Sequence, residues 1–136
     1  MQTIENVQKK FVRMVSGLNG TNYEERLQEL KLLTLKNRRL YFDLIETFKC
    51  IHGLSNVKYD KWFNLVGDLE RRNTRGANSA LNIVPNRTRL DVRENFFSTR
   101  VVPHWNNLPS EVKENRSLMA FKRNIKSFLL ESQSSV

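Results

Sequence analysis

Apolar residues recur along this chain mostly at intervals of three and four, the period of an amphipathic helix. In residues 3–18 they fall at Ile4, Val7, Phe11, Met14, Val15 and Leu18, with Lys9, Lys10 and Arg13 off the stripe, and Gly17 and Gly20 end the segment. Thr21 followed three residues later by Glu24 reads as a capping box. It opens a short helix with Tyr23, Leu27 and Leu30 on one face, and Leu32 and Leu33 carry the apolar signal into a turn. The strongest helical pattern spans residues 34–52, where Leu40, Tyr41, Leu44, Ile45, Phe48 and Ile51 form a wide stripe and Gly53 stands where a C-terminal cap belongs.

The second half is less regular. Residues 54–67 read as a loop and a short helix holding Tyr59, Trp62, Phe63, Leu65 and Val66. Residues 68–80 are polar, lack apolar periodicity, and predict a mobile surface loop. Residues 81–90 alternate weakly through Leu81 and Ile83, and Pro85 restricts any strand there to an edge or an end. Helical spacing returns at Val92, Phe96, Val101 and Trp105, with a break predicted at Pro103. After a turn at 106–109, Ser110 is placed to cap a helical turn over Glu111–Lys113. A last helix over 117–131 turns Leu118, Phe121, Ile125, Phe128 and Leu129 inward and Lys122, Arg123 and Lys126 outward, and residues 132–136 are expected to fray. The pattern predicts a mostly α small domain of about five helices, with at most one short β-hairpin or edge strand.

With 136 residues the chain has the length of a single domain, 1–136, able to bury a real core. One cysteine, Cys50, leaves no internal disulfide, which suits a reducing compartment, cytoplasmic or nuclear. Its apolar helical setting marks it as a small core residue rather than a nucleophile. No apolar run is long enough to cross a membrane, and the first residues lack the apolar centre of a signal peptide.

Catalytic patterns are missing. The four aspartates, Asp43, Asp60, Asp68 and Asp91, are widely scattered, and no glycine-rich phosphate loop occurs. One cysteine with two histidines, His52 and His104, falls short of a four-ligand Cys/His zinc site. No enzyme activity, metal or other cofactor is expected.

The net charge of +9 changes the picture, because it attracts polyanions. Residues 71–100 hold seven arginines (Arg71, Arg72, Arg75, Arg87, Arg89, Arg93 and Arg100), no lysine and two acids, Asp91 and Glu94. Arginine presents a planar fork of donors that grips phosphate with two bonds and stacks on bases, where lysine would serve for solubility alone. A second cluster, Lys36, Arg38 and Arg39, sits in the first turn of the predicted 34–52 helix, where the helix dipole disfavours cations; this hints at an anion or acidic partner. Phe96, Phe97 and Trp105 interleave with the arginines. Packed inside, they contribute stability; exposed, they stack on unpaired bases. The bland alternative for the cations is a solvated face bridged to nearby acids.

Four pieces carry a family resemblance: VQKKFVRMVSGL at 7–18, YEERLQELKLLTLKNRRLYFDLIETFKCIHGL at 23–54, NRTRLDVRENFFSTRVVPHWNNLPSEV at 86–112 and SLMAFKRNIKSFL at 117–129. In order and spacing the chain resembles the region after the polymerase domain in non-LTR, LINE-type retrotransposon polyproteins, especially jockey-like ones. The most specific pieces are Phe96-Phe97-Ser98-Thr99-Arg100 running to Trp105-Asn106-Asn107-Leu108-Pro109, and Arg38-Arg39 followed by Asp43-Leu44. The resemblance implies the thumb end and C-terminal extension of a reverse transcriptase, binding template RNA or target DNA. The family's catalytic aspartates lie upstream and have no counterpart here, nor does the Cys/His knuckle of some LINE types. The expected function is a non-catalytic RNA- or DNA-binding accessory domain of weak sequence preference. Its expected partners are nucleic acid and, beside it, an upstream polymerase domain or a second copy. The alternative is a protein-interaction module, or a fold taken over by a host for another purpose.

Overall fold

The computed structural model describes residues 2–18, 22–69, 80–86 and 91–134, and these are mostly helical. The contacts divide into two compact units: residues 1–41 with 124–136, and residues 42–123. Two helices, α3 (Leu35–Ile51) and α9 (Leu118–Ser134), each contribute to both units.

The first unit starts with α1 (Gln2–Arg13), which ends in a turn leading to Gly17 at φ 93°. Its packing reverses most of the expected stripe, Leu18 excepted. Ile4, Val7, Phe11 and Met14 are between 64% and 81% exposed, whereas Val12 and Leu18 are buried. The face turned to the fold is partly polar. Glu5 accepts from the Tyr23 hydroxyl at 2.6 Å and from the backbone N–H of Leu35, and Gln8 donates to the carbonyl of Leu33. Burial and this carboxylate both push the Tyr23 phenol above its ordinary range.

The short helix α2 (Tyr23–Glu29) does open with a capping box, one residue later than expected. Asn22 accepts from the N–H of Glu25, and the Glu25 carboxylate accepts from the N–H of Asn22. Asparagine and threonine are both good caps, so two overlapping boxes compete in the sequence. The helix closes with the N–H groups of Leu32 and Lys31 bonded to the carbonyls of Leu27 and Gln28, a Schellman motif. Lys31 takes the left-handed position, φ 50°, that glycine fills most easily. The last helix then reaches past its expected end. Gln133, instead of fraying, accepts from the N–H of Thr34 and the side chain of Asn37, and donates to the carbonyl of Leu32.

In the second unit, Leu44, Ile45, Phe48 and Cys50 of α3 are buried, as their stripe predicts. Thr47 is buried among them and donates its hydroxyl to the carbonyl of Asp43. Gly53, at φ 67°, caps this helix in a second Schellman motif, through the N–H of Leu54 to Lys49 and its own to Cys50. Phe48 stacks on Phe121 of α9 at 4.2 Å, and Phe121 lies 6.0 Å from the indole of Trp105. Phe128, which belongs to the first unit and is expected inside, is 44% exposed.

After a 3-10 turn at Tyr59–Lys61 comes α4 (Val66–Leu69). Among the described residues the expected edge strand is reduced to a single antiparallel bridge between Leu65 and Ile83. Flanking bonds join Val66 to Asn82, Gly67 to Ala80 and Val84 to Asn64. Gly67 permits the approach, since a Cβ there would stand 3.0 Å from both the Cβ and the carbonyl oxygen of Ala80. Most of the expected 68–80 loop lies outside the described residues, as do residues 87–90.

The irregular stretch resolves into short turns: α5 (Asp91–Glu94), α6 (Phe97–Arg100), α7 (Val102–Asn106) and α8 (Ser110–Lys113). Pro103 marks a boundary as predicted, sitting in the first turn of α7, where its missing N–H costs nothing. Ser110 lies inside α8 rather than capping it, and Pro109 takes the cap position.

Trp105, Asn106 and Lys113 do the work that a second strand would do for residues 81–83. The Trp105 indole donates to the carbonyl of Leu81 at 2.8 Å. The Asn106 side chain both accepts from and donates to the backbone of Ile83, each at 2.8 Å. Lys113, only 2% exposed, donates its ammonium to the side chain of Asn82 and the carbonyl of Asn106. This clamp explains locally why a Trp-Asn pair is followed by a lysine one helical turn after a Leu-Pro turn.

Candidate nucleic-acid interface

The ten cations proposed from sequence fall into four groups. Arg71, Arg72, Arg75, Arg87 and Arg89 lie outside the described residues. Arg93 stands exposed on α5. Arg100 is already engaged. Its Nε and Nη2 donate to the two carboxylate oxygens of Asp43, each at 2.8 Å, and its Nη1 donates to the carbonyl of Asn95. The same guanidinium lies 6.0 Å from the centroid of Phe97. Three of its five donors therefore hold the fold, leaving two for any ligand.

Lys36, Arg38 and Arg39 are all exposed on the first turns of α3, and among the described residues none of them forms a salt bridge. The first turn of α3 carries no acid of its own. The clash with the helix dipole is met in part by Glu5, whose carboxylate accepts from the N–H of Leu35 at 3.2 Å. Thr34 adds an acceptor for the N–H of Asn37. The amides of Leu35 and Asn37 at this end are thus served by the protein itself, and the turn directs its cationic side chains outward.

The expected outer face of α9 also holds, with Arg123 and Lys126 exposed and Lys122 half-buried. Two exposed lysines that the charge reading passed over, Lys58 and Lys61, bracket the 3-10 turn before Trp62. Their signal was two lysines three residues apart, leading into the aromatic pair Trp62-Phe63 and diluted by Asp60.

The aromatic residues divide. Trp105 is fully buried, Phe97 is half-buried and Phe96 is 57% exposed. Of the three aromatics at 59–63, Phe63 is buried, Trp62 remains open, and Tyr59 reaches Asp68 at 3.4 Å, whose charge pushes the phenol above its ordinary value.

Other titratable groups are tied into the fold. Burial raises the pKa of the Cys50 thiol, which disfavours the nucleophilic thiolate. The His52 ring lies tilted against Phe48, with centroids 4.1 Å apart, and its Nε2 pairs with the carbonyl of Lys113. Among the described residues no three His, Cys, Asp or Glu side chains gather as metal ligands would, and no helix is long and apolar enough to cross a membrane.

No family model matches the chain, and neither the curated proteins nor the solved structures contain a match to it.

Proposed function

We propose that this chain is a non-catalytic domain that binds the backbone of RNA or DNA, as its resemblance to the C-terminal region of LINE-type reverse transcriptases implies. The observation that carries the reading is the exposed trio Lys36, Arg38 and Arg39, without carboxylate partners among the described residues, on a chain of net charge +9. Cations on a solvated face are commonly interspersed with acids; here the first turn of α3 contains none. Arg93 and the arginines at 71, 72, 75, 87 and 89 extend the proposed contacts, and Arg100 joins them with the donors that Asp43 and Asn95 leave over. Contacts of this kind position a backbone and read little sequence.

The test is a titration of the chain into labelled single-stranded RNA, hairpin RNA and duplex DNA, followed by anisotropy at several salt concentrations. Neutralising five phosphates on duplex DNA gives a log–log salt slope of about −4.5. Absence of binding to all three at low salt rejects the reading.

A second reading, protein interaction, is favoured by the exposed stripe of α1. Ile4, Val7, Phe11 and Met14 repeat at intervals of three and four, the seam of a helix that packs along another helix. Together they leave on the order of 500 Å² of apolar surface open, the size of patches that mark interaction sites. Two such stripes face to face would bury on the order of 1,000 Å², the lower bound for a specific interface, so a second copy is the occupant proposed. Sedimentation equilibrium would then give a dimer that Phe11→Glu converts to monomer; a monomer at every concentration rejects this reading.

A further inference from the structure

Trp62 is one of two tryptophans, and the two have opposite surroundings: Trp105 is fully buried, whereas Trp62 is 45% exposed. The Trp62 indole has a firm backing. It stands edge-on to Phe97, with ring centroids 6.2 Å apart and planes at 74°. Phe97 is edge-on in turn to the buried Phe63 at 5.8 Å, and the guanidinium that Asp43 holds in place lies 6.0 Å from its ring.

A rigid aromatic body that keeps a large part of its surface in water is the form of a base-stacking platform. It stacks with little ordering cost, and every base offers a π-face to it. The surrounding charge suits the same ligand. Lys58 and Lys61, both exposed, precede Trp62 on its own turn, with Asp60 the one acid between them. Phe96, also exposed, precedes Phe97, and its N–H bonds back to the carbonyl of Arg93, whose side chain is exposed too.

We propose that the aromatic cluster centred on Trp62 stacks on unpaired bases, so that its ligand is single-stranded nucleic acid, with Lys58 and Lys61 contacting phosphate. This rests on the nucleic-acid reading above and names its substrate class. A duplex keeps its bases stacked on one another and cannot use the platform.

The experiment titrates the full chain with an unstructured oligothymidylate and with a duplex of the same length, recording both anisotropy and tryptophan emission. Stacking quenches Trp62, while the buried Trp105 supplies a constant background. The expected result is quenching by the single strand and not by the duplex. Trp62→Leu should abolish the quenching and weaken single-strand binding on the order of tenfold, with duplex affinity and the salt slope unchanged. Trp62→Phe, which keeps an aromatic face, should recover part of the lost affinity and guards against a folding defect in the leucine variant. Binding of both polymers without quenching, or equal single-strand affinity in wild type and Trp62→Leu, overturns the stacking site and leaves the nucleic-acid reading intact. Failure of both polymers to bind at low salt overturns both.

Discussion

Arg100 closes on Asp43 through two parallel bonds of 2.8 Å across 57 residues of sequence. The arrangement suits a guanidinium and no other side chain, because only its planar fork meets both carboxylate oxygens at once. Both side chains are largely shielded, at 29% and 14% relative exposure, so the pair sits between the weak surface bridge and the fully buried one. It holds the turn between α6 and α7 to α3.

Arg100→Gln is expected to lower stability by about 2 kcal/mol, since it strands a shielded carboxylate. Arg100→Lys should recover less than half of this, because an ammonium cannot make the paired contact. Urea denaturation of these variants, with Asp43→Asn completing a double-mutant cycle, measures the coupling. A cycle that gives no coupling energy would reduce the pair to a surface contact.

The exposed cations should behave the opposite way. Replacing Lys36, Arg38 and Arg39 together with Gln should flatten the salt dependence of nucleic-acid binding by up to about 2.7 in log–log slope, at about 0.9 per phosphate contact, and leave the melting temperature nearly unchanged. The same applies to Arg87, Arg89 and Arg93. If the slope survives both triple replacements, the phosphate contacts lie elsewhere on the chain.

The two Schellman caps offer a paired stability test. Lys31 holds a left-handed φ of 50°, and Gly53 holds 67°. Lys31→Gly should stabilise by about 0.5–1 kcal/mol by removing the Cβ penalty. Gly53→Ala should destabilise by about 1 kcal/mol through backbone strain alone, because a Cβ there meets nothing within 4 Å. Thermal melts of the two variants should move in opposite directions.

At alkaline pH two groups pull stability in opposite directions. Burial lowers the pKa of Lys113 below its ordinary 10.5 in the folded chain. Between the folded and unfolded values the unfolded state binds more protons, so this group raises stability as pH climbs. Burial and Glu5 raise the pKa of Tyr23 above its ordinary 10.0. Its contribution is fully present below that value and is lost as pH rises beyond it. Lys113→Met should therefore remove the gain below pH 10.5, and Tyr23→Phe the loss above pH 10.0, both read from denaturation midpoints across pH. At neutral pH Lys113→Met should stay within about 1 kcal/mol of wild type, since relief of the buried charge offsets the lost bonds to Asn82 and Asn106.

Much of the helical framework was legible in the chain itself. The stripe through Leu44, Ile45 and Phe48, the cap at Gly53, the break at Pro103 and the burial of Cys50 all depend on neighbours within about one or two helical turns. Spacing, caps and proline geometry act over that range, so sequence alone determines them. Candidate ligand contacts were legible only as types: the chain shows arginines, lysines and aromatics, but not which of them the fold consumes.

That choice belonged to the tertiary structure. Asp43, Asn95 and Phe97 occupy much of Arg100, Asn82 and Asn106 draw Lys113 into the interior, and Gln133 extends α9 by meeting residues 32–37 about a hundred positions earlier. In α1 the sequence offered a continuous apolar stripe, yet the fold took the neighbouring face, where Glu5 and Gln8 find polar partners and Val12 is buried. Periodicity measures how apolar a face is, whereas the face that packs is the one whose hydrogen bonds and shape the remote segments complete. The same distinction leaves Trp62 open and encloses Trp105, two residues of one type separated only by what the chain brings against them.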